Sequence, residues 1–578
     1  MILRKLSFSE SELLLALSFL TGISAGGAAV LLSKSISLIH NWLHGLPGGG
    51  WMNLVFPGAG MLLSLLVVRF LVRQNIGHGV TRVLVAVSKN ESRISPRTIW
   101  SSLLTSAVTI GAGGSVGAEA PIVYTGAAIG SNLGRRFRLS YRNITILLGC
   151  GAAGAVAGIF KAPLAGVLFT LEILLFNISM SSMMPLLVSS VSAAVVSYLF
   201  LGSDLPFQCT LSPFALRHIP FYLLLGAFCG LCSVYFQRMT LALEDVLSKV
   251  RNVYVRWGVC AVLLGLLIFL LPPLFGEGYG SLHPLLTGQP VDYAGMTPLG
   301  FLPSTTSGLI LFFVLVLVFK VFSMTLTNAG GGVGGTFGPT LFTGAIAGFV
   351  AVKAVNVLFG SALPEQNFVL VGMAGLMAGV MQAPMTAIFL IAEITGGYSL
   401  FVPLIITATV SFGVMRCFEK YSIYTKRIAR TGELLTHDSD QAVLTLLRSG
   451  DLVESGFLPV RIDDSFASLK DVISKSSRNI FPVLDSRGCF QGYVSLDDVR
   501  RDMFDESIGA KAHVYNYMRS APEYIYDDDP MDVVMSKFER SGAWNLPVVR
   551  HDRSYIGFMS KSKIFSAYRN ELRQLSSD

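Results

Sequence analysis

Glu119 stands out by its surroundings. It lies in the run Gly113-Gly-Ser-Val-Gly-Ala-Glu-Ala-Pro121, where glycines interrupt an apolar stretch and a proline follows two residues after the acid. An ionisable side chain in such a segment is a functional candidate by default. Ionised, its carboxylate is itself an anion and can occupy an anion site; protonated, it loses its charge and frees that site. A second run, Gly331-Gly-Val-Gly-Gly-Thr-Phe-Gly-Pro339, has the same design without the acid. Glycine permits sharp turns and proline is favoured in a first helical turn. Each run is therefore expected to open a helix whose free N–H groups and positive dipole end face a cavity and attract an anion. A bare ion in a low-dielectric medium costs on the order of tens of kcal/mol, so it must be solvated. Fixed amides solvate it without a permanent countercharge, and weak binding permits turnover.

The segments that must hold these runs repeat. Residues 151–163 (GAAGAVAGIFKAP) and 372–384 (GMAGLMAGVMQAP) match at seven of thirteen positions, and each leads to a glutamate nine residues past its proline, Glu172 and Glu393. Secondary transporters commonly contain such repeats in inverted topology, with interrupted helices forming a site at the repeat interface. The alternative is that these glycines serve only close helix packing.

Composition places the repeat in a bilayer. Of 578 residues, 52% are hydrophobic and 14% charged, with a mean hydropathy of +0.60, far more apolar than a soluble domain. Apolar stretches at 11–34, 52–73, 183–202, 216–238, 255–275 and 305–327 suit membrane spans. Arg4 and Lys5 before the first stretch, and Lys426, Arg427 and Arg430 after the last, place both termini in the cytoplasm, with no cleavable signal expected. The net charge of +8 then needs no nucleic-acid partner. Cys229 and Cys232 lie inside an apolar span and read as small helix residues rather than a redox pair, and His40 and His44 lack the His-Glu-x-x-His of a zinc protease. No metal site and no enzyme activity are expected.

With these motifs assembled, residues 10–430 resemble the CLC family of chloride channels and chloride/proton antiporters. Gly117-Ala-Glu-Ala-Pro121 is similar to the family's G-x-E-x-P, Gly335-Thr-Phe-Gly-Pro339 to its G-x-F-x-P, and Tyr424 lies in a similar final stretch. The resemblance implies an all-α polytopic membrane domain with an inverted repeat of broken helices, working as a homodimer in a bacterial-type inner membrane. It implies that Glu119 is the gate, and that the amides of Thr336 and Phe337 and the hydroxyl of Tyr424 coordinate the anion. The family's G-S-G-I-P appears as Gly77-His78-Gly79-Val80-Thr81, so His78 stands at the anion-contacting serine, beside Gly79. Its imidazole can donate to the anion or point away and leave the amides to bind. The proton-relay glutamate of the antiporters is Ile173, which carries no proton; Glu172 reads as structural. The usual Arg and Gly around the gate are Ala118 and Ala120, and Lys161 either faces the pathway or caps a carbonyl.

The tail resembles paired CBS domains, which are α/β units. The expected division is 1–430 transmembrane domain, 431–451 linker, 452–510 first CBS unit and 511–572 second. Where such domains bind adenine nucleotides, an Asp shortly after a Ser or Thr contacts ribose. Ser495 and Asp498 fit in the first unit, whereas Ser560-Lys-Ser-Lys563 lacks the Asp in the second. The tail would thus be a nucleotide sensor or a structural element at the dimer interface, with no other cofactor. The expected function is transport of chloride or a similar small anion, channel-like or weakly coupled to protons, ahead of strict chloride/proton exchange. A fluoride exporter is disfavoured because fluoride-specific relatives lack the tyrosine that Tyr424 supplies, and a membrane scaffold would show no anion flux.

Overall fold

The structure is a computed structural model and describes residues 10–45, 54–73, 77–89, 92–174, 182–203, 207–289, 293–430, 449–504 and 512–576. The chain separates into two compact units, Met1–Leu434 and Leu435–Asp578; most of the expected linker lies outside the described residues.

The first unit is helical. Its first half comprises α1 (Glu10–His44), α2 (Phe56–Leu66), α3 (Gly79–Lys89), α4 (Arg97–Gly111), α5 (Glu119–Arg136), α6 (Tyr141–Phe160), α7 (Pro163–Phe169) and α8 (Met183–Leu201). The second half comprises α9 (Ile219–Ser248), α10 (Val253–Leu270), α11 (Tyr279–Thr287), α12 (Tyr293–Met296), α13 (Thr306–Ala329), α14 (Phe337–Phe359), α15 (Glu365–Met381), α16 (Pro384–Ile394), α17 (Phe401–Phe418) and α18 (Ile423–Arg430). Eight helical stretches among the described residues are long and apolar enough to cross a bilayer. Others are too short to cross, and the central α5, α6, α14 and α15 are largely buried in protein. Broken helices of this kind are tolerated at membrane depth because protein, not lipid, surrounds their ends.

The repeat governs local structure. The chain turns between α6 and α7 at Lys161 (φ 54°) and between α15 and α16 at Gln382 (φ 53°), and a proline opens the helix after each turn. Lys161 caps a carbonyl: its Nζ donates to Gly202 O at 2.8 Å. The glycines of 151–163 and 372–384 serve close packing. A Cβ on Gly151 would lie 1.9 Å from Gly126 O, and one on Gly372 would lie 2.4 Å from Gly344 O, so α5 meets α6 and α14 meets α15 nearly backbone to backbone.

The second unit holds two matching three-stranded sheets, β1 (Val460–Arg461), β2 (Ile480–Leu484) and β3 (Phe490–Ser495), then β4 (Ile525–Tyr526), β5 (Asn545–Val549) and β6 (Tyr555–Ser560). In each, the first strand runs parallel to the second across a helix, Phe466–Lys475 or Met531–Ser541, and the third returns antiparallel. The two units exchange segments. Leu452 is buried with Ile525 and Phe538 of the second, and Glu454 exchanges backbone hydrogen bonds with Phe558. Val514 is buried with Phe466 and Val494 of the first, and Arg519 pairs with Tyr493. Each leading segment completes the other unit's apolar core.

Candidate functional site

The two glycine runs meet backbone to backbone. Gly117 N–H donates to Gly335 O at 3.1 Å and Gly335 N–H to Gly117 O at 2.7 Å, so the starts of α5 and α14 face one another. Only glycine allows this approach: a Cβ on Gly335 would lie 2.7 Å from that of Ala120. In the space between them sits the Glu119 carboxylate, 2% exposed. Its Oε2 accepts the Gly338 N–H at 3.1 Å, in the first turn of α14, and its Oε1 accepts the Tyr279 hydroxyl at 2.8 Å. Added Cβ atoms on Gly117 and Gly338 would lie 2.1 and 2.9 Å from these oxygens. The carboxylate therefore occupies an amide-lined seat shaped by glycines.

The other expected ligands gather on the α14 side. Thr336 is the residue before α14 and donates its hydroxyl to Tyr424 Oη at 3.4 Å; both are buried. Phe337 packs its ring against Phe160 and Phe169 from the first half. Gly79 brings the start of α3 against α5, where a Cβ would lie 2.4 Å from Ala120 O. Three helix N-termini and two tyrosine hydroxyls, those of Tyr279 and Tyr424, thus converge on the region of Glu119.

His78 has a different partner from the one its position suggests. Its Nε2 lies 3.3 Å from Glu244 Oε1, and Arg427 holds the same carboxylate through two nitrogens at 2.6 and 3.3 Å. Bidentate pairing fixes Glu244 in plane, and the imidazole is turned toward it. His78, Glu244, Arg69, Arg256, Ser248 and Asn328 line a cavity of about 730 Å³. Of the two alternatives at His78, pointing at the anion or elsewhere, the observed rotamer is committed to a carboxylate.

Glu172 makes a structural contact. Its carboxylate accepts the N–H groups of Met385 and Thr386 at 3.1 and 2.8 Å and the Thr386 hydroxyl at 2.7 Å. Ile173 beside it is buried. In the tail, the Asp498 carboxylate pairs with the Arg519 guanidinium, and Ser495 Oγ accepts the Asp497 N–H as a helix cap.

Sequence reasoning missed Tyr279, Glu277 and Lys320. Glu277 Oε1 accepts the Ala118 N–H at 2.8 Å, and the fully buried Lys320 donates to Ser115 Oγ at 2.8 Å and Gly276 O at 3.0 Å. Signals existed: Lys320 is a lone charge inside the apolar stretch 305–327, and Glu277 and Tyr279 sit in the glycine run Gly276-Glu-Gly-Tyr-Gly280.

A multi-pass helical membrane unit of two homologous halves, whose glycine loops pair around a carboxylate seated on helix-terminal amides, defines an anion-transport architecture. The chain belongs to the CLC family: the voltage gated chloride channel family matches residues 59–416, and the CBS domain family matches 514–570. It is 30% identical over 335 residues to the H(+)/Cl(-) exchange transporter ClcA of Vibrio parahaemolyticus, covering 56% of this chain and 67% of that protein. To chloride channel protein CLC-f of Arabidopsis thaliana it is 23% identical over 650 residues, 97% of this chain and 81% of that one. Among solved structures, a slow cyanobacterial Cl-/H+ antiporter shares the fold, with a TM-score of 0.60 at 24% identity, covering 74% of this chain and 99% of that one.

Proposed function

We propose that this protein moves chloride, or a similar small anion, across a membrane along a path gated by Glu119 in each subunit of a homodimer, and that the movement is channel-like or only weakly coupled to protons. The observation that carries the reading is the seat of Glu119. A tethered carboxylate on the Gly338 N–H occupies the kind of place a free anion would take at a helix start. Protonation would release it and open that place. Thr336, Phe337 and Tyr424 would hold the anion next along the path, with the Gly79 end of α3 beside them.

Weak coupling is supported by Ile173 at the relay position and by the commitment of Glu172 to the start of α16. Strict chloride/proton exchange is the second reading, favoured by the likeness to ClcA proteins named as exchange transporters. Purified protein in liposomes under a chloride gradient, read with chloride and proton electrodes together, separates the two. Chloride flux without uphill proton movement is expected; a stoichiometric proton flux would replace the first reading with the second.

For the tail we favour a structural role at the dimer interface over nucleotide sensing, because Ser495 and Asp498 are both engaged within the tail itself. The basic residues flanking the apolar segments support cytoplasmic termini and an inner-membrane location.

A further inference from the structure

The segment between α10 and α11 reads Phe275-Gly-Glu-Gly-Tyr-Gly280. Gly276 and Gly278 both take left-handed φ, 60° and 90°, backbone that other residues rarely adopt. A Cβ on Gly278 would also lie 2.5 Å from the Phe342 ring. This turn aims two alternate side chains at the start of α5. Tyr279 reaches the Glu119 carboxylate, and Glu277 takes the N–H of Ala118, the residue before it. The loop is pinned in place by Gly276 N–H, which donates to Gly113 O at 3.0 Å, and by Lys320, which bridges Gly276 O and Ser115 Oγ.

Two carboxylates therefore sit on the two facing helix starts. Glu119 fills an amide of α14, while Glu277 fills the amide at the head of α5. Thr336 meets Tyr424, Gly338 two residues on meets Glu119, Glu119 meets Tyr279, and Glu277, two residues before Tyr279, meets Ala118. The Ala118 N–H, one residue before Glu119, is a second backbone donor at this site, and a carboxylate already sits on it. A backbone N–H that binds a carboxylate is equally a donor to a free anion, so the two compete. The basic side chain nearby is Lys320, fully buried, its Nζ 4.8 Å from the Phe342 ring centroid.

We infer that Glu277 is a second anion-competing carboxylate, in series with Glu119 at the end of the path remote from Tyr424, with Lys320 the positioning residue that holds its loop against α5. The inference rests on the reading of Glu119 as the gate. The titratable and charged groups around Glu277 are Glu119 on α5, Tyr279 on its own segment, Lys320 on α13 and His40 on α1, whose ring meets that of Phe275 edge-on at 5.8 Å.

The test uses the full-length protein in liposomes, with chloride efflux measured for the wild type, Glu119→Gln, Glu277→Gln, Glu277→Asp and the Glu119→Gln/Glu277→Gln double variant. Glutamine at 277 keeps an oxygen for the Ala118 N–H and removes the charge; aspartate keeps the charge on a side chain one methylene shorter. Expected are a several-fold rise in efflux and a lower half-saturating chloride concentration in both single 277 variants, and a double variant that exceeds either Gln single. Lys320→Met should move the same half-saturating concentration, which a purely structural lysine would leave in place. Unchanged or lowered efflux in both 277 variants, with Glu119→Gln still altering flux, overturns the role of Glu277. If Glu119→Gln also leaves flux unaltered, the gate reading fails and takes this inference with it.

Discussion

Glu172 and Glu393 hold each other's helices. Glu172 accepts the N–H groups of Met385 and Thr386 in the first turn of α16, and Glu393 accepts those of Leu164 and Ala165 in the first turn of α7, at 3.0 and 2.8 Å. Each half of the repeat thus supplies the carboxylate that caps the broken helix of the other. The orphan N–H groups at each helix start thus find partners, and the exchanged caps tie the two halves together.

Neutralising either cap should destabilise the fold to a similar degree. Glu172→Gln and Glu393→Gln are each expected to cost about 1–2 kcal/mol, the usual value of a charged N-terminal cap. Thermal unfolding in detergent measures this. If Glu172 instead relays protons, its variant will change proton flux while leaving the melting temperature at the wild-type value.

Glu119→Gln should leave the fold intact and flatten the pH dependence of chloride flux. In the wild type, lowering the pH protonates the carboxylate, frees the Gly338 N–H and raises flux. The carboxamide has no such step. Flux across about three pH units, chosen to span the titration of a carboxylate, should therefore rise on acidification in the wild type and stay level in the variant.

Gly338→Ala probes the seat without touching the acid. The new methyl would lie 2.9 Å from Glu119 Oε1 and 3.1 Å from Tyr279 Oη, so the carboxylate must leave its position. Efflux at neutral pH is expected to move toward that of Glu119→Gln. Wild-type flux in a properly folded variant would show that the gate does not depend on this seat.

Arg427→Met should be among the more damaging changes in α18. It leaves Glu244, 22% exposed, with the imidazole of His78 as its remaining ion partner among the described residues. Breaking a partly buried pair from one side costs less than the ~3 kcal/mol of a fully buried one, about 1–2 kcal/mol, and removing both charges costs less still. The double variant Arg427→Met/Glu244→Gln should recover most of the lost melting temperature.

Calorimetric titration of the protein with ATP, ADP and AMP should give no binding heat. Asp498 would have to release Arg519 before it could reach a ribose. Heat that disappears in Asp498→Ala would establish the nucleotide sensor in place of the structural tail.

Much of this was legible in the chain. The hydropathy of 305–327, the prolines that follow each glycine run and the matched segments at 151–163 and 372–384 are local signals, and they were enough to identify a repeat of broken helices. Glu119 declared itself because a charge amid glycines and apolar residues is unusual. Lys320 carried the same signal but sat in a plain span, with no repeat to draw attention to it. His78 stands out beside Gly79, yet its partner Glu244 lies far along the chain, and nothing local announces the pairing.

Sequence alone determined where helices start and stop, because glycine turns, proline at a first helical turn and apolar runs act over a few residues. It determined that one acid lies beside one such start. Tertiary structure decided what that acid touches. Its partners Tyr279 and Gly338 are 160 and 219 residues away, and the exchanged caps and interleaved CBS segments likewise join distant positions. Such contacts depend on which backbones can approach once the halves pack, and that is a property of shape rather than of local pattern.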